Sequence, residues 1–306
     1  MVFDLKKVLL LFICSCYFNS LFSQNVTTDS SATFVGYWKE GDEQLFKVDI
    51  SKEKFKNRSL VSRDTISYPV RMRILESTEE GYLIEWKYIG FNPMAIIKSS
   101  PVETSGTAVS SIIYWTDNTG AFKELVNWKE IKSSIEHQLA KMLERNPSAQ
   151  MKAMMDQMAS LYSDREKIEA IAIREVQLYH SPFGAEYIVG RKFKVESQLP
   201  NVFGGEPFPA VLTAELIDIN KFENSATLAV TQELDRVKAT QIIADLVRQI
   251  ASPGPEENNI TTLDIYDVNR FVIQLNSGWL REVYFQRIVH AADLKNVDTM
   301  EIELIK

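Results

Sequence analysis

The chain has 306 residues, of which 45% are hydrophobic and 25% are charged, a composition typical of globular proteins that excludes a disordered or collagen-like chain. This length is enough for one large domain or two ordinary ones. The formal net charge is −7, and the chain has no long run of Lys or Arg, which argues against binding nucleic acid through its phosphates.

The first 23 residues have the organisation of a secretory signal peptide. Lys6 and Lys7 supply the positive charge, and an unbroken apolar run extends from Val8 to Cys14. This run is shorter than the about 20 apolar residues that a membrane-spanning helix needs. We therefore predict cleavage after Ser23, which would place the protein in the periplasm or attached to the envelope surface.

Two alternatives to a cleaved signal peptide remain open. One is an uncleaved anchor, and the other is a lipoprotein signal in which Cys16, preceded by the small residue Ser15, is lipidated. Both cysteines of the chain lie within residues 1–23, so cleavage leaves a mature chain without cysteine. Disulfides, Cys-ligated zinc, iron–sulfur clusters and thiol nucleophiles would then all be excluded.

Residues 24–33 are polar and predict a flexible lead-in, after which the sequence is typical of antiparallel strands. Apolar and polar residues alternate with period two, and Gly- or Asn-containing turns separate the alternating segments. The predicted strand segments are 34–50, interrupted at Gly41, then the hairpins 67–75 with 82–88 and 108–126.

The middle of the chain changes to helical spacing. Apolar residues recur every three or four positions, and Asn146-Pro147 separates the first helix from the second. We predict three consecutive helices over 128–145, 148–162 and 164–179, and a later one over 236–251 that Asp235 caps.

Strands resume after the third helix. The predicted segments are 186–197, 210–219 with 225–234, 260–275, 279–290 and 297–305. Residues 113–125 and 272–283 share one pattern, a strand, an Asn-containing turn that ends in Gly, and a second strand. The pattern leaves open whether 34–180 and 185–306 are two related halves or whether turn chemistry alone produces the similarity.

The most unusual local feature is a methionine-rich helix. Met151, Met155 and Met158 share one helical face, and Met154 lies beside it. Thioether ligands would suit Cu(I), but no His or Cys lies in the segment, and methionine also fills irregular apolar gaps. We therefore predict an apolar, ligand-facing or packing stripe, with no metal and no cofactor.

Aromatic side chains are the second candidate for contacting a ligand. A sheet that carries Trp and Tyr can enclose an apolar molecule, although most such side chains belong to the core. From the predicted strands we select Trp86, Trp115 and Trp279 as ligand-facing candidates.

Recognisable catalytic motifs are missing from the sequence. There is no G-x-S-x-G, no P-loop and no G-x-G-x-x-G, and His137, His180 and His290 do not have zinc-ligand spacing. This favours a non-catalytic protein. A hydrolase with a scattered site stays open as an alternative and would need one of these histidines within about 3 Å of a serine or a carboxylate.

The segment from Phe271 to Ile288, a strand, the turn Asn276-Ser277-Gly278 and a second strand, resembles the curved-sheet architecture of periplasmic lipoprotein carriers and receptors. The resemblance covers at most the C-terminal third of the chain. It implies a sheet that curves over a few helices and binds an apolar or amphipathic ligand, such as a lipid or a lipoprotein.

Together, these patterns predict an α+β protein in which N- and C-terminal strands share an antiparallel sheet, or form two similar sheets, packed by helices from the middle of the chain. The leading functional hypothesis is a non-catalytic, exported protein that binds an apolar or amphipathic ligand. The main alternative is a structural or assembly component that contacts other envelope proteins, with peripheral membrane association in either case.

Overall fold

The structure is a computed structural model that describes residues 30–91, 110–145, 147–199, 207–239, 242, 263–291 and 293–305. The predicted signal peptide, the lead-in up to residue 29 and most of the last predicted helix lie outside the described residues. The three final residues of the predicted lead-in form a short strand.

Strands dominate the described part of the chain. They are β1 (Ser31–Thr33), β2 (Glu43–Lys56), β3 (Ser59–Ser77), β4 (Tyr82–Tyr88), β5 (Ser111–Thr116), β6 (Phe122–Leu125), β7 (Glu186–Ile188), β8 (Lys192–Leu199), β9 (Phe208–Asn220), β10 (Ser225–Leu234), β11 (Leu263–Gln274), β12 (Leu280–Ala291) and β13 (Leu294–Leu304). Between β6 and β7 lie the helices α1 (Trp128–Arg145), α2 (Ala149–Ser160), α3 (Arg165–Ala172) and α4 (Arg174–His180).

Eleven of the strands form one antiparallel sheet in the order β6-β5-β4-β3-β2-β13-β12-β11-β10-β9-β8. The two ends of the chain meet at its centre, where β2 pairs with β13 from Phe46 opposite Leu304 to Lys56 opposite Leu294. The predicted α+β class, with N- and C-terminal strands in a shared sheet and helices from the middle of the chain, is confirmed. Of the two sheet arrangements left open, the single shared sheet is the one found.

One face of the sheet, here called the inner face, carries the main core. A row of paired apolar residues crosses it from β9 to β3, so the core is continuous between the two halves of the chain. The row consists of Leu216, Leu228, Phe271, Val283, Ile302, Val48 and Tyr68.

The shortest helix, α4, is attached to both halves through buried polar groups. The carboxylate of Glu175 accepts hydrogen bonds from the Tyr88 hydroxyl at 2.5 Å and from the Tyr68 hydroxyl at 3.3 Å, in the first half. The Tyr179 hydroxyl accepts the backbone N–H of Leu280, at the start of β12 in the second half, at 3.2 Å. Burial raises the pKa of Glu175, although the two tyrosine hydrogen bonds act in the opposite direction.

The segment 34–38, predicted as part of a strand, is instead inserted between three turns. Phe34 exchanges backbone hydrogen bonds with the chain at 184–185, Gly36 donates to Thr119, and Tyr37 donates to Ser277. Its backbone groups are thus satisfied by loops from both halves. At its end, the buried Trp38 ring packs on Trp279 with a centroid distance of 5.1 Å.

The other differences from the predicted elements arise at chain reversals. The predicted third helix is broken at the buried residue Ile173, which has φ −123° and separates α3 from α4. The predicted strand over 186–197 is split at Gly190, whose φ of +73° turns the chain between β7 and β8. The hairpin between β2 and β3 was missed, because its two turn residues, Asn57 and Arg58, adopt positive φ without a glycine.

Gly278 tests the contact between the N-terminal segment and the β11–β12 turn. Its φ is +72°, and a Cβ there would lie 2.2 Å from the Val35 carbonyl oxygen. Gly41 has φ +87°, with no atom within 4 Å of the corresponding Cβ position. We expect Gly278→Ala to lower the free energy of unfolding by about 3 kcal/mol or more and Gly41→Ala by about 1 kcal/mol, measured by urea denaturation. Equal losses would show that this contact does not constrain the fold.

Candidate functional site

The predicted methionine stripe packs on the helical layer. Met155 is buried, and Met151 and Met158 are half-buried against the main core. The side chain of Met154 lies outside the described residues. The hydroxyl of Ser148 caps this helix by accepting the backbone N–H of Met151.

The three predicted tryptophans lie in different environments. Trp86 is fully buried on the inner face, with its ring 6.0 Å from Phe46 and 5.7 Å from Tyr179. Trp279 is buried at the β11–β12 turn. Trp115 is half-buried on the opposite face of the sheet, where it is paired with Glu124.

The six candidate residues with described side chains are therefore not brought together at one site. The described methionines and Trp86 belong to the packing of α2, α4 and the first-half strands, and Trp115 faces away from them. Their predicted contact with a ligand stays a prediction. The structure instead has a cavity over the second half of the sheet.

This cavity has a volume of about 740 Å³ and lies between α4, β7 and the inner face of β8–β12. It separates two apolar clusters on that face. The main core lies on one side, and a smaller cluster, formed by Leu199, Phe208, Ala210, Leu234, Ala239 and Ile265, lies on the other. The cavity thus lies between these two clusters, with α4 and β7 over it.

The floor of the cavity is a row of paired residues, mostly apolar. From the edge of the sheet inward the row is Phe193, Ala214, Val230, Asn269 and Phe285. Leu178, Pro182, Tyr187 and Ile188 cover this row from α4, the turn after it and β7. At the outer end Phe193 is 59% exposed, so an apolar surface continues to the rim.

A polar row runs next to the apolar one. Arg287 donates to both carboxylate oxygens of Asp267, at 2.8 Å from Nε and 2.6 Å from Nη2. The Asp267 side chain is 3% exposed and the Arg287 side chain 21%, so this is a largely buried, bidentate ion pair. Gln232 lies opposite Asp267 on β10 and also lines the cavity.

Arg174 is the unusual group of the cavity wall. It is the first residue of α4, and its guanidinium carbon lies 4.2 Å from the centroid of the Phe285 ring. Its Nη2 is enclosed and has no hydrogen-bond partner in the described part of the chain. Burial, and then the nearby Arg287, lower the pKa of Arg174. On the same wall, the enclosed Oδ1 of Asn269 also lacks a partner among the described residues.

The sequence did carry a signal for this site. Positions 265, 267, 269, 271 and 273 of β11 all point to the inner face, and two of them, Asp267 and Asn269, are polar. On β12, Arg287 interrupts an inward series of Val283, Phe285 and Val289. A charge at an inward position of a core strand needs a partner or a function. Arg174 lies on a helix, so the search for charges at inward strand positions could not find it.

The histidines do not form the pair that the hydrolase alternative requires. His180 is buried; its Nδ1 donates to the Gly120 carbonyl at 2.7 Å, and its Nε2 accepts the Tyr114 hydroxyl at 2.8 Å. His137 and His290 are exposed. Among the described residues, none of the three has a serine hydroxyl or a carboxylate as a hydrogen-bond partner. The same residues contain no cluster of three or more His, Cys, Asp or Glu that could hold a metal ion.

A search of the described helices for membrane spans found none that is both long enough and apolar enough.

No family model matches the sequence, and no curated protein matches it. Among solved structures, the chain is similar to a chain of lipovitellin, with 9% sequence identity and a TM-score of 0.42. That structure is titled "Lipid-protein interactions in lipovitellin". The match covers 88% of this chain but only 25% of the lipovitellin chain. The large antiparallel sheet implied by the resemblance to lipoprotein carriers is present in the structure itself, and the family resemblance stays a prediction.

The ion pair in the cavity has a matched control on the same strand. Asp264 also makes a bidentate pair, with Arg236, but that pair is exposed, at 73% for the arginine and 34% for the aspartate. We expect Asp267→Asn to lower the free energy of unfolding by about 3 kcal/mol, because the largely buried Arg287 loses its bidentate partner and keeps only the attraction of Asp298. Asp264→Asn should cost less than about 1 kcal/mol. Urea denaturation measures both, and similar costs would argue against a buried pair.

The pH dependence of stability tests the environment of His180. Burial lowers the pKa of His180 from 6.5 to about 4, so the folded state binds fewer protons than the unfolded state between these values. The neutral imidazole therefore makes its full contribution to the free energy of unfolding above pH 6.5. As the pH falls towards 4, the protein loses roughly 3 kcal/mol of this contribution.

Glu175 has a raised pKa, so its protonation stabilises the folded state as the pH falls, which is opposite to the effect of His180. Comparison with the variant His180→Asn isolates the effect of His180. The wild-type protein should lose roughly 3 kcal/mol more than this variant between pH 7 and pH 4, measured by urea denaturation at each pH. Parallel pH profiles would show that His180 titrates as an ordinary histidine.

Proposed function

We propose that this protein binds one apolar or amphipathic small molecule, such as a lipid, in the cavity between α4 and the second half of the sheet. The observation that carries the proposal is the cavity itself, because about 740 Å³ of space with an apolar floor and a few buried polar groups lies beside a fully packed core. Ligand pockets typically have volumes of about 300–1,000 Å³ and this type of lining.

The cavity is formed by rigid elements. Its floor is five hydrogen-bonded strands, and its wall is α4, which Glu175 and Tyr179 attach to both halves of the sheet. Strand β7 covers it as part of a two-stranded ribbon with β1. A site built on strands and a fixed helix is preorganised, so a ligand would not need to order it on binding.

The compartment is part of the proposal. We propose that the protein acts after export, in the periplasm or at the envelope surface, on the basis of Lys6, Lys7 and the apolar run 8–14 that follows them. An exported protein that holds a lipid in a water-filled compartment would shield its acyl chain from solvent, a role that requires binding and no chemistry.

A second candidate function, contact with another envelope protein, is favoured by β8. This strand lies at the end of the described sheet, and Phe193 and Val195 are among its exposed apolar residues. Strand edges of this kind can pair with a further strand. Native mass spectrometry separates the two functions: a mass increment on a monomer supports the lipid, and a complex without bound lipid supports the partner protein.

Nile red, a neutral dye that fluoresces in apolar surroundings, tests the cavity directly. We expect the wild-type protein to bind it, and Leu212→Trp to weaken binding at least tenfold, because Leu212 lines the cavity. The control is Val211→Trp, since Val211 directly precedes Leu212 on β9 and is exposed on the outer face. Equal effects of the two variants, or no binding by the wild type, would contradict a ligand site in the cavity.

A further inference from the structure

We propose, on the basis of the proposed function, that the ligand is a single-chain amphiphile with one negative charge, and that Arg174 binds its head group while the chain lies along the row from Val230 to Phe193. At one end the cavity has the Arg174 guanidinium, whose enclosed Nη2 lacks an acceptor among the described residues, and at the other the exposed apolar side chain of Phe193. This polarity fits a molecule with the same asymmetry.

Arg174 is a cation of the wall without an ion pair among the described residues, although Asp298, Asp267 and Glu175 are near enough to favour its charged form. Two of the charged side chains that line the cavity, Asp267 and Arg287, neutralise each other in the bidentate pair. Arg174 has no ion-pair partner in the described part of the chain, and its sequence neighbour Glu175 accepts hydrogen bonds from two tyrosines instead. Of the remaining lining charges, Arg191 and Glu186 are exposed at the rim and cancel in sign.

An enclosed guanidinium with an unused donor is costly in a protein. Here the Phe285 ring, 4.2 Å below it, supplies a cation–π contact but no hydrogen-bond acceptor. A carboxylate or another monoanion would supply the missing acceptor, and a charge-assisted hydrogen bond of this type is among the stronger polar contacts. The neutral amide of Asn269 lies opposite Phe285 and would be the second polar group at this end.

The apolar row sets the length and direction of the chain. From Phe285 on β12 to Phe193 on β8 it crosses four strand intervals, or roughly 19 Å at about 4.8 Å per interval. Since C–C bonds are about 1.5 Å long, an extended chain of about twelve carbons spans roughly 14 Å. Starting at the guanidinium above Phe285, it would cover about three of the four intervals, as far as Ala214, the residue paired with Phe193 at the rim.

The test compares two twelve-carbon ligands that differ in the head group, dodecanoate and dodecan-1-ol, as competitors of Nile red at pH 8. We expect the wild-type protein to bind dodecanoate at least tenfold more tightly than the alcohol, because only the carboxylate supplies a charged acceptor. Arg174→Gln should reduce this ratio below about threefold, mainly by weakening dodecanoate binding. The control is Arg191→Gln, which removes the same charge from the rim and should leave the ratio near its wild-type value.

The outcomes separate the two proposals. If Nile red does not bind, the cavity proposal fails and this inference fails with it. If Nile red binds but the two competitors are equally effective, or if Arg174→Gln weakens both alike, the head-group inference alone is overturned. Arg174→Lys guards against a folding defect, because it retains the charge and should keep part of the preference for dodecanoate. A general loss of that preference in both Arg174→Lys and Arg191→Gln would also count against a specific role of Arg174.

Discussion

The structure depends on how α4 is held. Four of its seven residues are buried, and three of these, Glu175, Tyr179 and His180, bond to partners on different strands or loops. Buried polar groups are costly unless their geometry is satisfied, so each bond restricts where the helix can lie. Because the partners belong to both halves of the chain, the same bonds set the position of the halves relative to each other and of Arg174 above Phe285.

The cavity follows from the way the chain distributes its helices. The sheet has eleven strands, but α1 to α3 follow the first-half strands in the chain, and α4 contacts β12 of the second half. Over the inner face of the second half, α4 and β7 lie above the sheet without filling the space between them and it. At one end α4 and β7 complete the main core, at the other a small cluster closes around Phe208 and Ala239, and the space between them remains open.

Period-two alternation and helical spacing were sufficient to predict the class and the first helix with its observed limits, Trp128 and Arg145, while the shared sheet was one of two arrangements left open. These signals come from many residues and tolerate local exceptions. The break at Ile173 and the turn at Asn57-Arg58 were missed because each depends on one or two backbone conformations that packing selects. The register of β2 with β13 was beyond the sequence as well, since it joins residues more than 200 positions apart.

The candidate site shows which sequence signals carry function in a fold of this kind. Methionine and tryptophan stand out by composition, yet Met155 and Trp86 fill the core, where large apolar side chains are stabilised without a ligand. Asp267 and Arg287 stand out only against the inward positions of their own strands, where a charge is costly. The ion pair between Asp267 and Arg287 accounts for both charges without a ligand. Arg174 takes no part in this ion pair. The unsatisfied guanidinium is thus the one charge of this wall that packing leaves unexplained, and it is the reason to expect an anionic rather than a purely apolar ligand.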